Sequence, residues 1–198
     1  MSSQLMIAAG LLVAGVVMIM KEPENLDDKF LHDARSFGMQ VIGAARPGSI
    51  VVFDFDSTLV NPEIIQDYVH TGTRDMWAGS RRALPIYAPV REMIDLCKYA
   101  NSRNMHIVLI TARSDTITMR QCVKANLERH GVRIHELYGF NRNSGDKLST
   151  FKAAIRKRLS LQRPVILTVG DRWPDVSEPN GAHWIKLSSS DGIFRTSQ

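Results

Sequence analysis

Ile50-Val51-Val52-Phe53-Asp54-Phe55-Asp56-Ser57-Thr58-Leu59-Val60 (IVVFDFDSTLV) reads as a buried β-strand that ends in two carboxylates. Its β-branched and aromatic opening suits a strand covered on both faces. Asp54 and Asp56 stand two apart, so in an extended segment their side chains leave by the same face. Two like charges held that close repel, and burial raises the cost. A hard divalent cation with oxygen ligands, Mg²⁺ being the usual one, would resolve the repulsion, since no His or Cys cluster accompanies the pair. The alternative is that both acids open a loop and cap the next helix, as Asp often does. The spacing alone leaves the two readings level.

Outward from this strand, short apolar runs alternate with helical periodicity. The pattern predicts strands at 50–55, 106–110, 134–138, 165–169 and 183–187, and helices at 89–103, 115–130 and 147–159. Val90, Met93, Ile94 and Cys97 share one helical face, as do Leu148, Phe151, Ile155 and Leu159. Strands alternating with helices of this length imply an α/β fold of three layers, Rossmann-like, with a mainly parallel sheet and helices on both faces.

Two further strands run into polar groups: one into Thr111-Ala112-Arg113, the other into Gly170-Asp171-Arg172-Trp173-Pro174-Asp175. In an open parallel sheet the carboxyl ends of the strands lie along one edge, where ligands bind. Two acids, a hydroxyl beside an arginine, and a further acid pair would therefore converge. That equipment suits phosphoryl transfer, which needs a metal, an oxygen nucleophile and donors that take up charge.

The chain resembles the haloacid dehalogenase (HAD) superfamily of phosphohydrolases, and within it the acid-phosphatase branch that includes class B bacterial and plant vegetative-storage types. DFDST (residues 54–58) matches the first family motif, LITAR (109–113) the second and VGDRWPD (169–175) the fourth. The third motif is a lysine: Lys152 fits best and Lys147 is the runner-up. The resemblance spans about Ile50 to Leu187, with the motifs in family order. The branch often carries an acid where Ser57 stands here.

The resemblance implies that Asp54 attacks a phosphoryl group to form an aspartyl-phosphate and gives one oxygen to Mg²⁺. Asp56 would protonate the leaving oxygen, later deprotonate water, and offer its backbone carbonyl to the metal. Asp171 would be a metal ligand, and Asp175 a ligand or a residue that orients one. Thr111 would bond phosphoryl oxygens and Lys152 neutralise the intermediate, with Arg113, Ser57 and Thr58 binding substrate. Read without the resemblance, Thr111 could cap the helix that follows it. Arg113 could be a solvated turn charge, Asp175 could only shape a turn, and Lys152 could belong with Arg156, Lys157 and Arg158 to a solvent-facing basic helix end.

Too few residues separate Asp54 from Thr111 for a large cap domain. The segment Asn61 to Pro89, with Arg74, Trp77, Arg81, Arg82 and Tyr87, is expected to form a minimal lid. Its basic and aromatic content could grip a nucleotide or could pack on the body.

Leu5 to Met20 (LMIAAGLLVAGVVMIM) carries no charge, and the first charged side chain is Lys21. A full span needs about 20 mostly apolar residues, with about 17 as a minimum, so residues 1–20 are expected to be a single-pass anchor in a lipid bilayer. Neither a basic start nor a small-residue cleavage site marks a signal peptide. Lys21, Lys29 and Arg35 follow the span and nothing basic precedes it, which favours a cytoplasmic C-terminal domain. Residues 21–47 would form a tether and a packing helix, and residues 48–198 the HAD-like phosphatase domain.

The 198 residues, 44% hydrophobic, suit one globular domain, and a formal charge of +5 suits an anionic substrate without marking a nucleic-acid stripe. Cys97 and Cys122 lie far apart in apolar helical patterns, which excludes a metal or redox spacing. The expected function is a membrane-anchored, Mg²⁺-dependent phosphomonoester hydrolase acting on a phosphorylated small molecule or nucleotide. Two alternatives are a nucleic-acid 3′-end phosphatase, and an idle HAD-fold structural or docking component of a membrane-associated assembly such as a virion.

Overall fold

Ile50–Phe53 forms strand β1, buried at every position, at the centre of a six-stranded sheet. The computed structural model describes residues 26–74, 81–177, 182–187 and 193–195. The expected span at residues 5–20 lies outside them. Among the described residues no helix is long and apolar enough to cross a membrane.

In chain order the elements are α1 (Leu26–Ala44), β1, β2 (Val60–Arg74), β3 (Arg81–Pro89), α2 (Arg91–Ser102), β4 (His106–Ser114) and α3 (Ile117–Arg129). There follow β5 (Glu136–Phe140), α4 (Leu148–Ser160), β6 (Val165–Gly170), α5 (Trp173–Val176), β7 (His183–Lys186) and β8 (Ile193–Arg195). The main sheet has the order β5-β4-β1-β6-β7-β8. All its pairings are parallel except β7 with β8. The expected mainly parallel α/β sheet is therefore present, and β8 adds an antiparallel edge.

The chain builds outward from β1 to β4 and β5, then returns to place β6 on the other side. This reversal of strand order leaves a crevice at the carboxyl ends of β1 and β6. One face of the sheet carries α1, α2 and α3, whose Ala34, Leu96, Cys97 and Val123 pack on Val51, Phe53, Ile107 and Leu167. The other face is covered by α4, whose Phe151, Ile155 and Leu159 meet Val52, Val108 and Ile110. In α2 the buried residues Met93, Ile94, Leu96, Cys97 and Ala100 follow helical spacing, so one stripe faces the sheet.

Three features depart from the expectations. The strand stops at Phe53, one residue short of the acids, so alternation along a strand does not govern where Asp54 and Asp56 point. The helix after β4 is capped by Thr116, whose Oγ1 accepts from the Met119 N–H at 3.1 Å, and not by Thr111, which lies inside β4. The described part of the expected lid, residues 61–74 and 81–89, is an antiparallel hairpin of β2 and β3 with irregular register.

Candidate active site

After Phe53 the chain turns sharply. Leu59 and Val60 both donate their N–H to the carbonyl of Phe55, at 2.9 and 3.2 Å, and Ser57 adopts φ 54°. Asp54 is tied to the neighbouring strand by its own N–H, which donates to the Val169 carbonyl at 2.9 Å. The turn sends the two acids to different partners.

Asp54 is buried, and its Oδ1 accepts from Lys152 Nζ at 2.7 Å. The same ammonium donates to Asp175 Oδ1. Lys152 is itself 2% exposed, so the solvent-facing reading of this helix end does not apply to it. Lys147 is exposed and sits at the N-cap of α4, away from this pair. One ligand oxygen from each of Asp54, Asp171 and Asp175 lies within 4.8 Å of the others. Three carboxylates facing one ammonium leave uncompensated negative charge, and every donor is a hard oxygen. That set fits a divalent cation such as Mg²⁺.

The electrostatics follow. Burial pushes the Asp54 carboxyl up to about 7, against the pull of Lys152 and with Asp175 and Asp171 adding to the rise. Burial also raises Asp171, again helped by Asp175. Burial opposes the charge on Lys152, but Asp54 and Asp175 outweigh it and hold the ammonium above its ordinary value.

Asp56 is not part of this trio. Arg113 grips it through Nε to Oδ2 at 2.8 Å and Nη2 to Oδ1 at 2.6 Å. The expectation that both acids project side by side towards one cation is thus corrected for the Asp56 side chain. Arg113 Cζ also stands 5.0 Å from the ring centroids of Phe55 and Tyr87. Thr111 is fully buried, and its Oγ1 accepts from the Arg113 N–H at 3.2 Å. Thr58 is fully buried with no hydrogen-bond partner for its hydroxyl among the described residues, whereas Ser57 is exposed.

Three further residues support the site from behind it. Arg156, one turn after Lys152 and equally buried, donates to the carbonyls of Pro174, Asp175 and Ser177 at 2.9, 2.9 and 2.7 Å. It thereby fixes α5 against α4. Gly170 permits the close approach of Asp175, since a Cβ there would lie 2.1 Å from Asp175 Cβ. Asn126, fully buried in α3, accepts the Tyr87 N–H at 2.8 Å and donates to the Pro85 carbonyl at 2.9 Å, so it pins β3 to the body. The sequence signal for Arg156 and Asn126 is a polar residue on an otherwise apolar helical stripe.

A family model described as HAD superfamily, subfamily IIIB (acid phosphatase), matches residues 44–191. No curated protein matches the chain.

Proposed function

The chain belongs to the HAD superfamily, subfamily IIIB of acid phosphatases, and from that premise we propose a Mg²⁺-dependent phosphomonoester hydrolase working through an aspartyl-phosphate on Asp54. The observation that carries this reading is the shared ammonium: Lys152 bonds both Asp54 and Asp175, beside an Asp171 close enough to complete a carboxylate trio.

Asp54, Asp171 and Asp175, with the backbone carbonyl of Asp56, would hold Mg²⁺. When bound, the ion offsets negative charge on the phosphoryl oxygens. Lys152 orients Asp54 and supplies fixed positive charge that needs no rearrangement during the reaction. An Asp54 carboxylate oxygen forms a bond to phosphorus as the bond to the leaving oxygen breaks, and the Asp56 carboxyl gives that oxygen its proton. Water then attacks phosphorus, Asp56 takes its proton, and the bond to Asp54 breaks to release phosphate. Thr58 and Thr111 offer buried hydroxyls at the turn and strand end beside these groups. Arg113 positions Asp56 through its two-pronged contact.

Residues 5–20 anchor the chain in a bilayer, with the domain on the cytoplasmic side that Lys21, Lys29 and Arg35 favour. Hydrolysis of a chromogenic phosphate ester, with and without Mg²⁺, beside Asp54→Asn, tests the chemistry. Activity that needs Mg²⁺ and is lost in the variant is expected. Activity indifferent to the substitution removes the covalent mechanism.

A further inference from the structure

Helix α1 runs in the same direction as α2. Arg35 pairs with Asp95 at 3.6 Å, Gly38 packs against Leu96, and Arg103 donates to the Gly43 carbonyl at 3.4 Å, so successive residues of one helix meet successive residues of the other. Helix α2 starts at the carboxyl edge of the sheet, where the Val90 N–H donates to the Leu59 carbonyl at 2.9 Å. Helix α1 therefore also starts at that edge and ends at the opposite one, where it leads into β1. Leu26 lies at the edge that carries Asp54, Lys152 and Asp171.

The uncharged run in the sequence ends at Met20, leaving only Lys21 to Asn25 before α1. Even fully extended, such a link reaches about 20 Å. Anything that holds residues 5–20 in lipid holds the active-site edge close to the lipid surface.

The hairpin supplies a second, separate observation. It leaves β1 and returns to α2 at this same edge. Strand β3 faces α3, and β2 is the outer strand, exposed at every residue from 63 to 70. Within that run Ile64, Ile65, Tyr68 and Val69 are 52, 46, 54 and 37% exposed, four apolar or aromatic side chains in six positions. Single exposed apolar residues are ordinary, but four within six positions of one outer strand set this strand apart as a candidate interaction surface. Aliphatic side chains beside a tyrosine match a membrane–water interface, where the ring stays apolar and its hydroxyl stays wet.

We propose that the carboxyl edge of the sheet faces the bilayer, with Ile64, Ile65, Tyr68 and Val69 of β2 seated in its interface, so that the substrate is a phosphomonoester carried by a lipid. The inference rests on the anchored-phosphatase reading and deepens it. A cleft facing the bulk solution would be served by soluble esters, whereas this one is held within a short reach of phosphates on the membrane itself.

The test uses the full chain in phosphatidylcholine vesicles that contain a phosphatidate. Wild type is compared with the Ile64→Ser, Tyr68→Ser double variant on the phosphatidate and on water-soluble p-nitrophenyl phosphate. The expected result is a loss of tenfold or more on the lipid ester with the soluble ester unaffected. Cys97 and Cys122 are both buried, so a Tyr68→Cys variant takes a polarity-sensitive dye at one accessible site. That dye is expected to shift to the blue and to resist an aqueous quencher in vesicles. A dye that stays open to the quencher, with equal loss or no loss on both esters, overturns the proposal. Shielding that appears only with dimerisation in detergent overturns it in favour of strand pairing between copies. A chain that hydrolyses the soluble ester but not the phosphatidate leaves the phosphatase reading standing and this inference refuted. A chain inert on both esters refutes the phosphatase reading, and one that does not float with vesicles removes the anchor, and either result takes the proposal down as well.

Discussion

Arg113 holds both carboxylate oxygens of Asp56, at 2.8 and 2.6 Å, while its own guanidinium lies 5.0 Å from the Tyr87 ring of the hairpin. Arg113→Lys loses the two-pronged geometry, and Tyr87→Ala loses the ring that backs it. Each is expected to lower kcat more than it raises KM, by about tenfold or more. The loss should be large on an alkyl phosphate, whose leaving oxygen needs a proton, and small on a dinitrophenyl phosphate, whose leaving oxygen does not. Tyr87→Phe keeps the ring but loses the hydroxyl that also interacts with Arg113, and should fall between wild type and Tyr87→Ala. Equal losses on both esters would assign Arg113 to phosphate binding instead.

The raised Asp54 carboxyl, at about 7 against an ordinary 3.8, sets a pH dependence of stability. A folded state that holds its proton more tightly than the unfolded chain is stabilised below the unfolded value and loses that stability as pH rises through the folded one. In the presence of a chelator the protein should melt lower near pH 8 than near pH 5, and Asp54→Asn should flatten the difference. Adding Mg²⁺ should raise the melting temperature near pH 8 more in wild type than in the variant. Identical pH slopes for the two chelated proteins would show that Asp54 titrates normally.

Asn126 makes two hydrogen bonds from α3 to β3, at Tyr87 and Pro85. Asn126→Ala removes the partner of the half-buried Tyr87 N–H and one of the donors to the Pro85 carbonyl, and the expected cost is about 1–3 kcal/mol in urea unfolding. Proteolysis within the hairpin should accelerate beyond that global loss, because Asn126 ties two positions of β3 to α3. Unchanged cleavage would mean that the ring contacts of Tyr87 suffice.

Gly170→Ala drives a methyl group into Asp175, whose Cβ would lie 2.1 Å away. Overpacking of this kind costs about 1–3 kcal/mol. The displaced Asp175 should weaken Mg²⁺ affinity by about 10- to 100-fold, read by titration of activity against the free ion. A variant that loses stability while keeping its Mg²⁺ dependence would place Asp175 outside the metal's reach.

Much of this arrangement is legible in the sequence. The alternation of β1, β4 and β6 with α2, α3 and α4 follows from apolar spacing, because a sheet covered on both faces leaves a continuous apolar run in each strand. The meeting of Asp54, Asp171 and Asp175 follows from strand ends sharing an edge. What could not be read was set by turns and tertiary contacts. The direction of Asp56 depends on the turn at Ser57, not on strand alternation. The hairpin is hidden in the sequence because Pro62, Pro85 and Pro89 interrupt its strand pattern. The resemblance singles out Lys152, but charge alone does not separate Lys157 and Arg158, which are exposed, from Lys152 and Arg156, which are buried. Their spacing, one turn apart and in step with buried Leu159, was the available clue.

The central position of β1 also governs how the molecule comes into being. Ile50 pairs with His106 on one side and with Val165 on the other, so β1 waits for a strand made long after it. Contacts this distant along the chain close slowly. During synthesis, Asp54 would remain without Lys152 and Asp175 until the chain as far as Asp175 has left the ribosome. A chain interrupted before β6 would carry Asp54 but lack the partner strand beside it, and so would leave β1 as an unpaired sheet edge open to aggregation.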